Sequence, residues 1–246
     1  MNGLRIFLVA CWLAGLFAAR LALAESVTLP GTAGASFERY PASGAALLLW
    51  MASERGLSDA EMRAAESLAR AGVEVWQWDV LNSYLLPALP GSLDRVPSED
   101  VGTWIGMALG TGKRVTLLAI ARAAKPALRA VAALPAPARA GLCVVLLYPN
   151  LYADAEPLSE PAYLPLGRLD GVRVLVLQPR RSASTPWLPA LTAALTRAGA
   201  VVDTRILEKL REGFWVREDA TPFEVEAGNA FGALLLRELT TWECGK

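Results

Sequence analysis

Arg122 is the charged residue best placed to do chemistry. It stands between a β-branched, leucine-rich run at 114–121 and a helical pattern that starts at Ala123. A strand turning sharply into a helix would set its guanidinium beside the helix amino terminus, where unpaired N–H groups already favour an anion. Other apolar runs end on Glu54 and Arg55, on Trp78 and Asp79, on Asn150 and Tyr152, on Arg180 and Arg181, and on Phe214 and Trp215. Open α/β sheets bind ligands beyond the carboxyl ends of their strands. Arg122, Glu54, Arg55, Asp79, Arg180, Arg181 and Trp215 are therefore expected to converge on one crevice. Such a crevice suits a small anionic or apolar ligand, or a protein of the cell envelope. The plainer alternative is that Arg122 pairs with Glu54 or Asp79 and fills the space.

The chain contains no histidine, which removes Ser-His-Asp and Cys-His arrangements and every His-ligated metal site. Its three cysteines, Cys11, Cys143 and Cys244, are too few for a Cys-rich zinc site, and no metal or other cofactor is expected. Paired carboxylates for glycoside hydrolysis could be drawn from Glu54, Asp79, Glu99 and Asp100. Glu99 and Asp100, however, open a helix, where the dipole favours acids without any catalytic role. A serine–lysine pair fails on position: Lys113 precedes the central strand, and Lys125 lies one turn into the next helix with no serine before it. Spacing leaves Cys143 and Cys244 free to pair, although two separate thiols are the plainer expectation.

These side chains must be carried by a regular alternation of elements. Apolar runs at 45–51, 73–79, 114–121, 142–148, 172–177 and 201–207 have strand length, while 25–43 holds at best a short edge strand. Between them lie helical patterns. One opens on the capping box Ser58-Asp59-Ala60-Glu61 and sets Met62, Ala65 and Leu68 on one face; the next is capped by Ser98 and repeats Val101, Trp104, Ile105, Ala108 and Leu109. Others cover 123–134 and follow Thr185-Pro186, burying Leu188, Leu191 and Leu195. A last one, opened by Thr221-Pro222-Phe223-Glu224, buries Phe223, Ala227, Phe231, Leu234 and Leu235. Strands apolar throughout and alternating with helices specify an α/β domain, a mostly parallel sheet covered on both faces. Residues 149–165, with four prolines, read as a loop over one end of that sheet. Trp76 and Trp78 share one strand face and Trp187 and Trp215 fall in loops or caps, positions that could line an apolar pocket; Trp104 belongs to the core. Gly228 and Gly232, four apart on the last helix, permit close packing against the sheet.

Residues 1–24 carry Arg5, an apolar run and the triplet Ala22-Leu23-Ala24, the pattern of a secretory signal cleaved before Glu25. The segment Leu8-Val9-Ala10-Cys11 also looks like a lipoprotein cleavage box, but too little apolar sequence precedes Cys11. Residues 25–246 are then expected to form a single exported domain in a bacterial periplasm, not transmembrane after cleavage. Without the leader it has 22 basic residues against 24 acids, which gives no support for nucleic-acid binding.

The order of elements, the sharp turn after 115–121 and the proline-rich insertion after the next strand resemble the α/β-hydrolase superfamily over nearly all of 25–246. The segment 46–85, with Trp78-Asp79-Val80-Leu81-Asn82-Ser83-Tyr84-Leu85 after its second strand, is similar to exported bacterial proteins of the virulence protein J (VirJ) type. The resemblance implies a G-x-S-x-G elbow at the turn, where this chain reads Ala119, Ile120, Ala121, Arg122 and Ala123. The oxyanion loop falls on Ala52, Ser53, Glu54, Arg55 and Gly56. The acid falls on Gln178, Pro179, Arg180, Arg181 and Ser182, and the histidine near Glu212, Gly213, Phe214 and Trp215. The resemblance thus implies the fold and argues against its reaction: a pseudoenzyme that binds a ligand or partner in the periplasm through the former active-site crevice. The alternative is a periplasmic hydrolase of esters or lipids that works through an unorthodox site without Ser-His-Asp.

Overall fold

The computed structural model describes residues 24–32, 34–154, 161–242 and 244. The proposed leader therefore lies almost wholly outside the described residues, as does 155–160 of the proline-rich loop. Eight strands form one sheet: β1 (Glu25–Thr28), β2 (Ser36–Tyr40), β3 (Ala46–Met51), β4 (Val73–Trp78), β5 (Arg114–Ile120), β6 (Leu142–Leu147), β9 (Arg173–Pro179) and β10 (Val201–Leu207). A small hairpin of β7 (Tyr152–Asp154) and β8 (Ala162–Tyr163) stands apart. The sheet order is β1-β2-β4-β3-β5-β6-β9-β10, parallel from β4 to β10 and antiparallel where β2 meets β1 and β4.

Period-two alternation in central strands that are apolar over most of their length builds two cores. Leu47, Leu49, Leu117, Ala119, Val144 and Val174 face helices α3 (Ser98–Leu109), α4 (Ala124–Ala133) and α6 (Leu188–Arg197). Leu48, Trp50, Leu118, Ile120, Val145 and Leu175 face α1 (Asp59–Arg70) and α8 (Phe231–Thr241). Short helices α2 (Val80–Ser83), α5 (Ala136–Ala140) and α7 (Pro222–Asn229) complete the described helices. Among the described residues no helix is long and apolar enough to cross a membrane.

Several local expectations are corrected by the structure. The segment 25–43 supplies two strands, paired by the register Glu25 to Arg39 and Thr28 to Ser36. Ser98 is already helical; Pro97 takes the N-cap position and makes no side-chain cap bond. Met62 and Phe223 are exposed, because α1 buries Ala60, Ala64, Ala65 and Leu68 and the last helical stretch breaks at Ala230 into α7 and α8. Leu188 is only half-buried. Trp76 and Trp78 are core residues, Trp76 stacked on Phe37 at 4.9 Å and Trp78 edge-on to Trp104 at 5.2 Å. Gly232 packs against a helix instead of the sheet: a Cβ there would stand 2.9 Å from the Ala64 carbonyl oxygen on α1. Cys143 and Cys244 do not remain separate thiols but form a disulfide with a Cα–Cα distance of 6.2 Å.

Candidate functional site

A crevice of about 370 Å³ opens beyond the carboxyl ends of β3, β5 and β6. At its floor, β5 ends at Ile120 and the chain turns through Ala121, whose φ is +51°. A left-handed backbone at alanine is strained, because the Cβ crowds the following carbonyl oxygen. Two bonds hold it there: the Asn150 N–H donates to the Ala121 carbonyl at 3.0 Å, and the Arg122 N–H donates to Glu54 Oε2 at 3.3 Å. The sharp turn is thus held without a glycine, with fully buried Ala119 and Ala123 on either side. Glycine carries no Cβ penalty at positive φ, so Ala121→Gly is expected to leave stability unchanged or raise it by up to about 1 kcal/mol. Urea unfolding of the two proteins measures this.

Glu54 occupies a chemically specific place. The resemblance to α/β-hydrolases would set one oxyanion donor on the N–H of the residue after the elbow; the Arg122 N–H, at that position of the turn, donates to the Glu54 carboxylate. The Arg122 guanidinium approaches the same carboxylate at 3.9 Å, its side chain 39 % exposed, and does not line the cavity. Of the other expected residues, Arg55 and Trp215 line the crevice with Glu54. Asp79 stands behind it as a brace, accepting from the Leu57 N–H at 3.3 Å and the Asn82 N–H at 3.1 Å. Arg180 and Arg181 lie off the crevice. Past β9 their N–H groups bond the carbonyls of Leu207 and Leu210, and the exposed Arg180 guanidinium pairs with Glu208 at 2.7 Å.

Two further acids line the crevice that the sequence pattern did not single out as site residues. Glu61, only 2 % exposed, completes the capping box of α1: its Oε2 accepts from the Ser58 N–H at 2.9 Å and the Ser58 hydroxyl at 2.7 Å. Its Oε1 is buried with the indole N–H of Trp215 as the neighbouring donor. Burial raises the Glu61 carboxyl above the ordinary carboxylate range, against the lowering effect of the bonds from Ser58 and from the Trp215 indole. Glu212 accepts from the hydroxyls of Ser182 and, at 3.3 Å, Ser184; the buried Gln178 amide donates to Ser184 at 3.1 Å. Gln178 and Glu212 thus join a hydroxyl network close to the stations where the resemblance would set an acid and a histidine. Tyr148, between these groups, has its hydroxyl pushed well above the ordinary phenol range by burial, and then by Glu61, Glu54 and Glu212.

The wall that carries Glu212 and Trp215 is pinned from outside the cavity. Arg211 donates through its backbone N–H and Nε to Glu224 Oε1, at 3.0 and 2.8 Å, and through Nη2 to Oε2. Glu224 opens α7, and the Arg211 bonds hold its carboxyl well below the usual range. Trp215 stacks on Phe231 of α8 at 4.4 Å, and Gly228 permits this: a Cβ there would stand 3.1 Å from the Trp215 Cα.

No family model and no curated protein matches the chain. Many solved structures do match it. An α/β-hydrolase enzyme, MGS-M1, from a Medee basin deep-sea metagenome library superposes with a TM-score of 0.62 at 12% identity, over 89% of this chain and 97% of its own. An esterase of the bacterial hormone-sensitive lipase family gives 0.59 at 18% identity, over 89% and 85% of the two chains. A Pyrobaculum calidifontis esterase gives 0.59 at 13%, over 87% and 86%. At such identities the likeness is one of fold, and the chain has the α/β-hydrolase fold with Ala121 at its strand–helix elbow.

Proposed function

We propose that this chain is an exported, non-catalytic α/β-hydrolase-fold protein that binds a ligand in the former active-site crevice, in a bacterial periplasm. One observation carries the reading: Glu54 places a carboxylate on the Arg122 N–H, directly beside the alanine that stands at the elbow. An acyl-transfer site needs a nucleophile, a base and a vacant donor for the developing oxyanion. Here the elbow side chain is a methyl group, the chain has no imidazole, and the donor faces a negative charge that would repel an oxyanion. The Cys143–Cys244 disulfide supports export, since structural disulfides persist in oxidising compartments, as does the leader-like pattern of 1–24. Kinship with the VirJ type belongs to the same reading. The test is hydrolysis of p-nitrophenyl butyrate by the purified protein and by Ala121→Ser, with neither expected to exceed the buffer rate. Ester turnover in the unsubstituted protein that disappears in Glu54→Gln would instead make the crevice a working site of unorthodox design.

A further inference from the structure

We infer that β10 pairs with the β10 of a second copy of this chain, antiparallel and centred on Thr204, so that two sheets continue into one. β10 ends the sheet, and a bare strand edge is a row of backbone donors and acceptors ready to take another strand. The Val201 N–H donates to the Val172 carbonyl, and the Leu207 carbonyl accepts from the Arg180 N–H. The odd-numbered residues of β10 thus turn their backbone groups inward, and Val202, Thr204 and Ile206 turn theirs out of the sheet. The strand carries no proline, lysine or bulge to blunt that edge.

Charge selects the partner and the register. An isologous contact must be complementary to itself. About Thr204, Val202 faces Ile206 of the second copy and Asp203 faces Arg205, and each pairing occurs twice. Thr204 with itself and Val202 with Ile206 are then the hydrogen-bonded pairs, while Asp203 and Arg205 meet in the non-hydrogen-bonded pairs, where side chains come closest. Opposite charges attract there and like charges repel, and the neighbouring registers, centred on Asp203 or on Arg205, would set like against like. Both groups can be reached. Arg205 is exposed and has no ion pair among the described residues; Asp203 accepts from Trp242 Nε1 at 2.8 Å and stands 3.9 Å from Arg173, with 46% of its side chain exposed. An open groove flanks each face of the strand, one between Val202, Thr204 and α6, the other between Leu207, Phe223 and Leu234. Val201 and Phe223 leave apolar surface in solvent that a second copy along this edge would help to cover.

Sedimentation velocity of the purified protein over a concentration series is expected to show a monomer–dimer equilibrium, with amide hydrogen exchange at Val202, Thr204 and Ile206 slowed as the dimer fills. Arg205→Asp opposes carboxylates at both charged pairs and should weaken the dimer about tenfold or more; Asp203→Arg should do the same with guanidinium groups. Mixed in equal amounts, the two variants regain an opposite charge at each pair and should dimerise with each other more tightly than either does alone. Should Asp203→Arg not fold without its Trp242 bond, Thr204→Pro takes its place: it removes an outward N–H, which an edge strand can lose without breaking its own sheet, and should also give monomer. A native protein monomeric at every concentration would overturn the pairing. A dimer left intact by both Arg205→Asp and Thr204→Pro would do so too, as would one in which the three amides exchange as fast as in the monomer.

Discussion

Replacing Cys143 and Cys244 together by serine is expected to lower the unfolding free energy by about 4 kcal/mol. The two residues are 101 positions apart, and a cross-link closing a loop of that size removes a large share of the unfolded chain's conformational freedom. Cys143 lies on β6 in the middle of the sheet, and Cys244 follows α8, so the bond also ties the helix that carries Phe231 to the central strands. In a domain of this size each kcal/mol moves Tm by roughly 2–4 °C, and thermal unfolding with and without dithiothreitol should show a drop of about 8–16 °C. An unchanged Tm on full reduction would show the bond to be energetically idle. The crevice is expected to survive, because Trp215 is held on Phe231 and through Glu224 by contacts that the cysteines do not enter.

The parts of the molecule legible in the sequence are those set by near neighbours. Continuous apolar runs such as 142–147 read as strands because both faces of a parallel sheet are buried. The capping boxes of Ser58 with Glu61 and Thr221 with Glu224 read as helix starts because their partners lie three residues apart. Strands β1 and β2 escaped because a short edge hairpin is stabilised by pairing with β4, a non-local contact. The disulfide escaped for the same reason: one sulfur lies on a strand and the other beyond the last helix. The elbow was legible from its place after 115–121, although alanine has no intrinsic preference for φ of +51°. Among the crevice acids, Glu61 was hidden by its capping role, which engages Oε2 with the Ser58 N–H and hydroxyl. Arg180 was expected at the crevice because a strand ends there, but its backbone bonds toward Leu207 and its side chain follows Glu208 outward.

Glu74→Ala is expected to destabilise the fold by about 3 kcal/mol without touching the crevice. Its buried carboxylate accepts from Arg39 Nε at 2.8 Å, Trp76 Nε1 at 2.7 Å and Lys113 Nζ at 2.6 Å, joining β2 and β4 to the turn before β5. Removing one partner from a buried ion pair leaves the others uncompensated. The loss is held below the upper end of that class because Arg39 and Lys113, with side chains 39% and 21% exposed, can be rehydrated. Burial raises the Glu74 carboxyl, and the bonds from Lys113, Arg39 and Trp76 outweigh this and bring it below its ordinary value. A carboxyl whose folded pKa is depressed contributes fully above its unfolded pKa of about 4.3, and the contribution disappears as pH falls through the folded value. The stability gap between the native protein and Glu74→Gln should therefore be constant near neutrality and close below about pH 4, as urea unfolding across that interval would measure. A gap that widened on acidification would refute the assignment. Glu74 stands at the amino end of β4 and the crevice lies beyond the carboxyl ends of the sheet. The Trp215 indole N–H resonance, a reporter of the crevice, should thus be unaltered in Glu74→Ala while stability falls.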